Sequence, residues 1–336
     1  SENNRWKFPE VIDINNLLEH IKCINVEQIT GHGFLSLIYR VFFVYFNETT
    51  SSSVILKVPS ISVFSKQNGI DQESVVDGFL PVLVKFHNQE TRFYNAIGNS
   101  YPSPVIPKVF ASRECTNPEE LERSFLIMQD RKTSGGVHAD FSQGLSKRQI
   151  ESVLAAMAEF HAYTLSLSSQ LMESLVLEKP LEFGEGSETL LKNLLKIPDA
   201  DAQYFANNET VLRKFFATHA KESFFDCHKR FGIKPVLCHG DLWTNNIFYK
   251  TSDISDSSDE LHSIFDWQCV HPKLGVEPPC DFELMEKIYQ YHYPAQLMFV
   301  MLVIEVVLNA EHRPEMRRNL IHRMIAGFEK IRRNYE

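Results

Sequence analysis

The stretch VLCHGDLWTNNIFYK, residues 236–250, places a histidine, an aspartate and an asparagine in one short polar segment between two apolar runs. The spacing is His-x-Asp-x-x-x-x-Asn, from His239 through Asp241 to Asn246. A third apolar run, SIF at 263–265, is followed at once by Asp266. Short apolar runs between polar segments predict strands, so these polar side chains are expected on loops at strand ends.

This set of side chains suits phosphoryl transfer from ATP. That reaction needs a carboxylate that orients the attacking hydroxyl and accepts its proton, together with hard oxygen ligands for magnesium. Asp241 fits the first role, and Asn246 and Asp266 fit the second. Alone, His239 and Asp241 would equally suit a polar turn or a metal pair of another kind. The positions of Asn246 and Asp266 favour the phosphotransfer hypothesis.

Together with a glycine-containing loop and a strand lysine upstream, HGDLWTNN at 239–246 and IFDWQ at 264–268 resemble the kinase-like superfamily of aminoglycoside phosphotransferases and choline kinases. The tryptophans of HGDLW and DWQ make the chain most similar to the CHK-kinase-like group, which includes ecdysteroid kinases. The resemblance runs from about residue 27 to the last helices. It implies a bilobal, protein-kinase-like α+β fold, with Mg²⁺ and ATP as co-substrate. It also implies that His239 supports the loop by hydrogen bonding and is not itself catalytic.

Two upstream features agree with this hypothesis. The pattern Gly31-x-Gly33-x-x-Ser36 lies between two predicted strands and could fold backbone N–H groups over phosphates, or be only a turn. The resemblance favours the phosphate loop, since this group often has serine at the third position. Lys57 lies inside an apolar strand, where an unpaired ammonium is costly, so it is expected to meet an anion. The alternative is a lysine that reaches solvent from an edge strand.

The remaining nucleotide contacts are inferred from the resemblance. The family places a glutamate three residues before a Phe-Tyr pair, which makes Glu90 the helix partner of the strand lysine; Glu73 is the competitor. The segment FLIMQD at 125–130 is expected to be the last strand before the hinge. Adenine would contact the backbone of Met128, Gln129 and Arg131. Many relatives have Glu-Asp where this chain has Gln-Asp.

The predicted organisation is an N-terminal nucleotide-binding lobe at 1–130 and a helical C-terminal lobe at 131–336. The first lobe is expected to be a small antiparallel sheet with one main helix. Its predicted strands lie at 38–46, 53–58, 107–112 and 123–129, and its helix at 79–96. The second lobe is expected to hold a helix after the capping box Ser146-x-x-Gln149, helices at about 187–197 and 205–230, the short strands 236–238, 247–249 and 263–265, and further helices after Asp281.

Composition sets the outer limits of the function. The chain has 336 residues, 43% hydrophobic and 23% charged, and a net charge of −9, which does not favour a nucleic-acid partner. Six dispersed cysteines form no Cys-x-x-Cys pair, which argues against a zinc module and fits a reducing compartment. The apolar run Leu297–Ile304 is too short to span a bilayer. We therefore expect a cytoplasmic protein without a membrane span.

The acceptor is expected to be a small molecule with a hydroxyl group, and the resemblance suggests a lipophilic, steroid-like or xenobiotic compound. Specificity would come from 131–145, 178–200 and 270–295. Trp243, Trp267 and Tyr289 form an acceptor wall or belong to the core, and core is the preferred interpretation. His161 is expected to be a core histidine, and Asp281 a helix N-cap.

Rival functions are less well supported by the sequence. A protein kinase would have Asp-Phe-Gly where Asp266-Trp267-Gln268 stands, and no Ala-Pro-Glu segment follows. A choline- or ethanolamine-type kinase stays open, as does a catalytically silent, kinase-fold binding protein. The silent form is disfavoured because Lys57, Asp241 and both predicted metal ligands are present. A metal-dependent hydrolase would need further histidines at suitable spacing.

Overall fold

The computed structural model describes residues 21–29, 35–46, 52–62, 72–140, 144–175, 191–192, 194–195, 203–219, 230–232, 235–251, 258–274, 282–310 and 314–336. Gly31, Gly33 and Asp281, which the sequence singled out, lie outside these residues. Most of the predicted helix at 187–197 does so as well.

The first part of the chain forms an antiparallel sheet rich in β-branched and aromatic residues, which favour the pleated, half-buried surface of a strand. Its strands are β1 (Ile21–Ile29), β2 (Ser36–Tyr45), β3 (Ser52–Pro59), β4 (Val109–Arg113) and β5 (Phe125–Gln129), in the order β1-β2-β3-β5-β4. Strand β3 is therefore central. Lys57 on β3 pairs with Ile38 on one side and with Leu126 on the other. The alternative of an edge-strand lysine is wrong.

One long helix packs beside this sheet. Helix α1 (Gln72–Phe93) continues into a π-helical turn, Tyr94–Gly98. The residues that the sequence placed on one face near a 3.6-residue period are buried: Leu83, Phe86, Phe93 and Ile97. The predicted helix is confirmed and begins earlier than expected.

The C-terminal part is mainly helical, so the predicted α+β class is confirmed. Its helices are α2 (Lys147–Leu165), α3 (Ser169–Ser174), α4 (Gln203–Asn207), α5 (Glu209–His219), α6 (Phe282–Ala310) and α7 (Pro314–Glu329). The capping box is present, since Ser146 Oγ accepts from the Gln149 N–H and Gln149 Oε1 accepts from the Ser146 N–H. The helix predicted over 205–230 is confirmed in α5, but a turn at Asn208 separates its first residues into α4, and 220–229 lie outside the described residues. The Asn208 amide donates to the Tyr204 carbonyl over 2.8 Å, which competes with helix continuation.

Short strands surround the quoted stretch. Strand β8 (Ile247–Lys250) pairs with β6 (Gly136–Val137) and β9 (Leu261–Ile264), while β7 (Pro235–Cys238) pairs with β10 (His271–Leu274). The predicted hairpin is thus β8–β9, and β7 belongs to a separate pair. No helix in the part of the chain that the structure describes is long and apolar enough to cross a membrane.

Candidate active site

The loop after β7 brings two predicted site residues together. It ends in one turn of 3₁₀ helix, Thr244–Asn246, that leads directly into β8. Asn246 Nδ2 donates to the backbone carbonyl of Asp241 over 2.9 Å and approaches its carboxylate Oδ2 at 3.3 Å. Gly240 has a φ of 81°, a left-handed conformation that glycine adopts without strain. The turn therefore fixes Asp241 beside the asparagine.

His239 stabilises this loop from below. Its ring is 2% exposed, its Nδ1 accepts from the Asp241 N–H at 3.3 Å, and its Nε2 donates to the Phe265 carbonyl at 2.8 Å. These bonds select the neutral tautomer with the proton on Nε2. Burial lowers the pKa of His239 to about 4. The ring thus ties the Asp241 loop to the residue before Asp266, which matches the supporting role expected of it.

We expect His239 to stay neutral, with the proton on Nε2, from about pH 8 down to about pH 5. Because its pKa is lower in the folded state than in the unfolded one, its contribution to stability is complete above about pH 6.5 and is lost as the pH falls towards 4. Long-range ¹H–¹⁵N correlation spectra of the imidazole groups measure both the tautomer and the midpoint. A midpoint near the ordinary value of about 6.5 would contradict the buried, bridging position.

Asp266 ends the hairpin in an unusual backbone conformation. Its φ is 66° and ψ is 58°, and among the described residues it is the one with positive φ that is not glycine. Such a conformation costs of order 1–3 kcal/mol in a residue with a Cβ and is typical of functional sites. It places Oδ1 at 2.5 Å from Lys57 Nζ. The surrounding contacts hold the residue in this conformation.

Lys57 joins three distant parts of the chain. Its Nζ also donates to Glu90 Oε2 on α1 over 2.7 Å, and the two side chains are 10% and 1% exposed. The carboxylate on α1 that meets the strand lysine is thus Glu90, the first of the two candidates. Sheet, helix and hairpin converge on one ammonium group. Its hydrogen bonds to two acids explain how a charge is tolerated in a central strand.

The electrostatic balance of the site is negative. Burial raises the pKa of Glu90, with Lys57 opposing the shift. Burial, reinforced by the charge of Asp266, raises the pKa of Asp241 to about 7. For Lys57, burial lowers the pKa, but the charges of Asp266 and Glu90 outweigh it and the net shift is upward. Three carboxyl groups, those of Glu90, Asp241 and Asp266, thus surround one ammonium group, that of Lys57. A bound cation would offset the excess negative charge.

Trp267 anchors the site in the core. It is fully buried, it stacks on Phe93 of α1 with ring centroids 4.4 Å apart at 10°, and its Nε1 donates to the Ile264 carbonyl at 3.2 Å. The core interpretation of Trp267 therefore holds. Tyr289 is 61% exposed, so the same interpretation is wrong for it. Trp243 is partly buried, and His161 is partly buried on α2, where burial lowers its pKa.

The segment after β5 contains an ion pair that sequence reasoning missed. Asp130 is buried, and its Oδ2 accepts from Arg40 Nε at 2.6 Å and from Ser53 Oγ at 2.8 Å. Arg40 and Ser53 lie 90 and 77 residues from Asp130 in the sequence. The one sequence signal for such partners was an acidic residue directly after an apolar strand. This pair fixes the start of the connector, residues 130–135 between β5 and β6, to β2 and β3.

The other predicted nucleotide contacts are placed around this connector. Met128 is buried, Gln129 is partly buried at the end of β5, and Ser36 is buried at the start of β2. The prediction for Arg131 concerned its backbone; its side chain turns to β9, where Nη2 donates to the His262 carbonyl at 3.0 Å. Gly136 permits the connector to pack closely, since a Cβ there would lie 2.7 Å from both the Arg131 carbonyl and the Phe248 ring.

Comparisons with known proteins bear on this arrangement. Residues 48–275 match the model of the DUF1679 family, which is described as "Uncharacterized oxidoreductase dhs-27". A Caenorhabditis elegans protein with that same description is 25% identical over 267 residues, which is 75% of this chain. The match covers 31% of that relative, so this chain spans about a third of its length.

Three solved structures are similar at low identity. They are the ADP-bound aminoglycoside phosphotransferase APH(2'')-Ib (15% identity, TM-score 0.38, 90% of this chain and 98% of that one), the gentamicin complex of APH(2'')-IIa (17%, 0.39, 93% and 99%) and the choline kinase of Cryptosporidium parvum Iowa II (11%, 0.44, 96% and 96%).

The chain has an antiparallel sheet whose central lysine meets a helix glutamate, followed by a helical part with an Asp–Asn loop and a hairpin that ends in aspartate. These features define a protein-kinase-like fold. Because the family model matches more than half of the chain, the chain belongs to the DUF1679 family.

Proposed function

We propose that this chain is an ATP-dependent small-molecule kinase of the CHK-kinase-like group that transfers the γ-phosphate to a hydroxyl group. The observation that supports it best is the placement of Lys57 Nζ between Glu90 and Asp266, at 2.7 and 2.5 Å. In protein kinases the lysine of such a pair contacts the ATP phosphates while the glutamate positions it, and the aspartate after the hairpin holds magnesium.

In this proposal residues 1–130 are assigned to the nucleotide lobe and 131–336 to the helical lobe. Asp241 orients the acceptor hydroxyl and accepts its proton, while adenine contacts the backbone of 128–131. A phosphate loop at Gly31, Gly33 and Ser36 remains a prediction.

The site residues fit a magnesium ion. Asn246 uses its Nδ2 on Asp241, which leaves Oδ1 as a neutral oxygen ligand. The Phe265 N–H donates to the Asn246 carbonyl at 3.1 Å, so the backbone of Asn246 adjoins the residue before Asp266. Oxygen ligands of this kind are those that Mg²⁺ prefers, and the excess of carboxyl groups around Lys57 favours a cation. When bound, the ion would neutralise charge on the phosphates. The protein residues orient the reactants and exclude water, on which this reaction mainly depends.

An oxidoreductase activity is the second candidate because the curated relative bears that description. Its name applies to a protein of which this chain matches 31%. The residues gathered around Lys57 are typical ligands of phosphate and of hard cations, not a hydride-transfer site. We therefore rank phosphotransfer first and test both.

A calorimetric titration with ATP, with and without Mg²⁺, tests the proposal without knowledge of the acceptor. We expect Mg²⁺-dependent binding to the native protein, weakened at least about tenfold in Asp266→Asn, because a neutral amide binds the ion less tightly. The control is Asp259→Asn, which changes an exposed acid of the hairpin in the same way.

Equal affinity in Asp266→Asn and the native protein would refute the metal assignment. A parallel titration with NADPH addresses the second candidate. Tight NADPH binding without binding of ATP would overturn the kinase proposal in favour of an oxidoreductase.

A further inference from the structure

A cavity lies on the connector behind the β8–β9 hairpin. Its volume is about 480 Å³, which is large enough for a small organic molecule. It is bordered by the loop before β4 (Ser103–Val105), by the connector (Arg131, Ser134 and Gly135) and by the hairpin (Lys250, Thr251, Glu260 and His262). None of Lys57, Asp241, Asn246 and Asp266 lines it, so it lies apart from the proposed phosphotransfer centre. It shares Arg131 with the proposed adenine contacts, which use the backbone of that residue and not its side chain.

Arg131 is the residue of the cavity lining whose charge has no acidic partner within the described parts of the chain. A guanidinium has five N–H donors, and partly buried ones are normally paired with an acid. Among the described residues the Arg131 side chain donates one hydrogen bond, from Nη2 to the His262 carbonyl, and its buried Nε has no partner. Burial alone shifts its pKa, downwards, with no neighbouring carboxyl group opposing it. The positive charge is thus held in the wall at a cost that the described residues do not offset.

The rest of the wall suits an anion. The ammonium of Lys250 lies on the cavity, paired with the exposed Glu260, which is its acid. Buried His262 is kept neutral, since burial and then the charge of Arg131 lower its pKa. The hydroxyl protons of Ser134 and Thr251 are used on the backbone carbonyls of Arg131 and Gly135 over 3.0 and 2.8 Å, so the donors that the wall offers an anion are those of Arg131 and Lys250. The net charge of Arg131, Lys250 and Glu260 is positive.

We propose that this cavity binds a small anionic molecule through the guanidinium of Arg131, by a carboxylate or a phosphate group. A guanidinium binds either group in a two-pronged, charge-assisted manner, and Lys250 adds a second cation at the mouth. The ligand would connect the loop before β4, the connector and the hairpin. This site does not depend on the proposed kinase activity.

The test uses inorganic phosphate and malonate as probes, because the natural ligand is unidentified. Binding is measured by calorimetry and by the rise in melting temperature, at constant ionic strength. We expect one or both anions to bind the native protein, and Arg131→Met to bind the same anion at least about tenfold more weakly, because a charge-assisted pair is lost. Arg123→Met, which removes an exposed cation elsewhere, should bind like the native protein.

One further variant and one stability measurement keep the outcome decisive. Lys57→Met/Glu90→Gln removes the ammonium of the other site together with its buried acidic partner, and it should retain the binding at a temperature where circular dichroism shows it folded. Loss of phosphate binding in the folded variant would assign the phosphate to the other site and overturn the proposal. Arg131→Met should be as stable as the native protein without ligand, since it removes an uncompensated charge. If neither anion binds, or if Arg131→Met binds both as well as the native protein does, the cavity is not an anion site.

Discussion

Lys57→Met is expected to destabilise the fold by about 3–5 kcal/mol at neutral pH, the usual cost of removing one partner of a buried ion pair. Methionine fills a similar volume, so the loss comes from charge and not from a cavity. The buried carboxylate of Glu90 and the carboxylate of Asp266 would then face each other without the ammonium between them. Urea unfolding monitored by far-UV circular dichroism measures the change.

The double variant Lys57→Met/Glu90→Gln separates charge from packing. Replacing Glu90, the buried acid left without a partner, should restore most of the lost stability, whereas a packing defect would persist. As a matched control, Lys287→Met breaks an exposed pair with Glu283 and should cost no more than about 1 kcal/mol. If the double variant is no more stable than Lys57→Met, the ion pair does not explain the burial of Lys57.

The pH dependence of Lys57→Met follows from Glu90. Burial already raises the pKa of Glu90, and loss of Lys57, which opposes the shift, would raise it further. The folded state then binds more protons than the unfolded state between the ordinary pKa of glutamate and the raised one. Stability should therefore increase as the pH falls through that window, because protonation removes the unpaired charge.

The local motif made the Asp241 loop and its hairpin predictable, because strand, turn and strand follow one another within thirty residues. Lys57 was predictable for a different reason: a charge in an apolar strand must find an anion. The α+β class was expected from the family resemblance and from the predicted strands before residue 130 and the predicted helices after it. The bounds of α1 and the division at Asn208 were missed, since helix ends depend on single side-chain bonds.

The sequence did not predict the contacts that connect distant segments of the chain. The stack of Phe93 on Trp267 and the pairing of Asp130 with Arg40 join residues that share no local pattern. The left-handed backbone of Asp266 is not encoded by a glycine, and surrounding contacts hold it in place. The prediction for Arg131 concerned its backbone, and no sequence pattern indicated that its side chain would reach the His262 carbonyl on β9.

Asp241→Asn is expected to lower the rate of phosphate transfer by about 10²–10⁴-fold, the contribution of a positioned general base. Asparagine keeps the size and can still accept the Asn246 amide, which in the native protein lies at 2.9 Å from the Asp241 carbonyl and 3.3 Å from its carboxylate. The loop should therefore keep its shape, and the affinity for ATP with Mg²⁺ should stay within about threefold. ADP release is measured with an acceptor found by screening hydroxylated compounds, and Asp259→Asn again serves as the control. A full rate in Asp241→Asn would refute the base assignment. A parallel loss of rate and nucleotide affinity would instead make Asp241 a ligand of the Mg²⁺·ATP complex, with the acceptor hydroxyl oriented by another group.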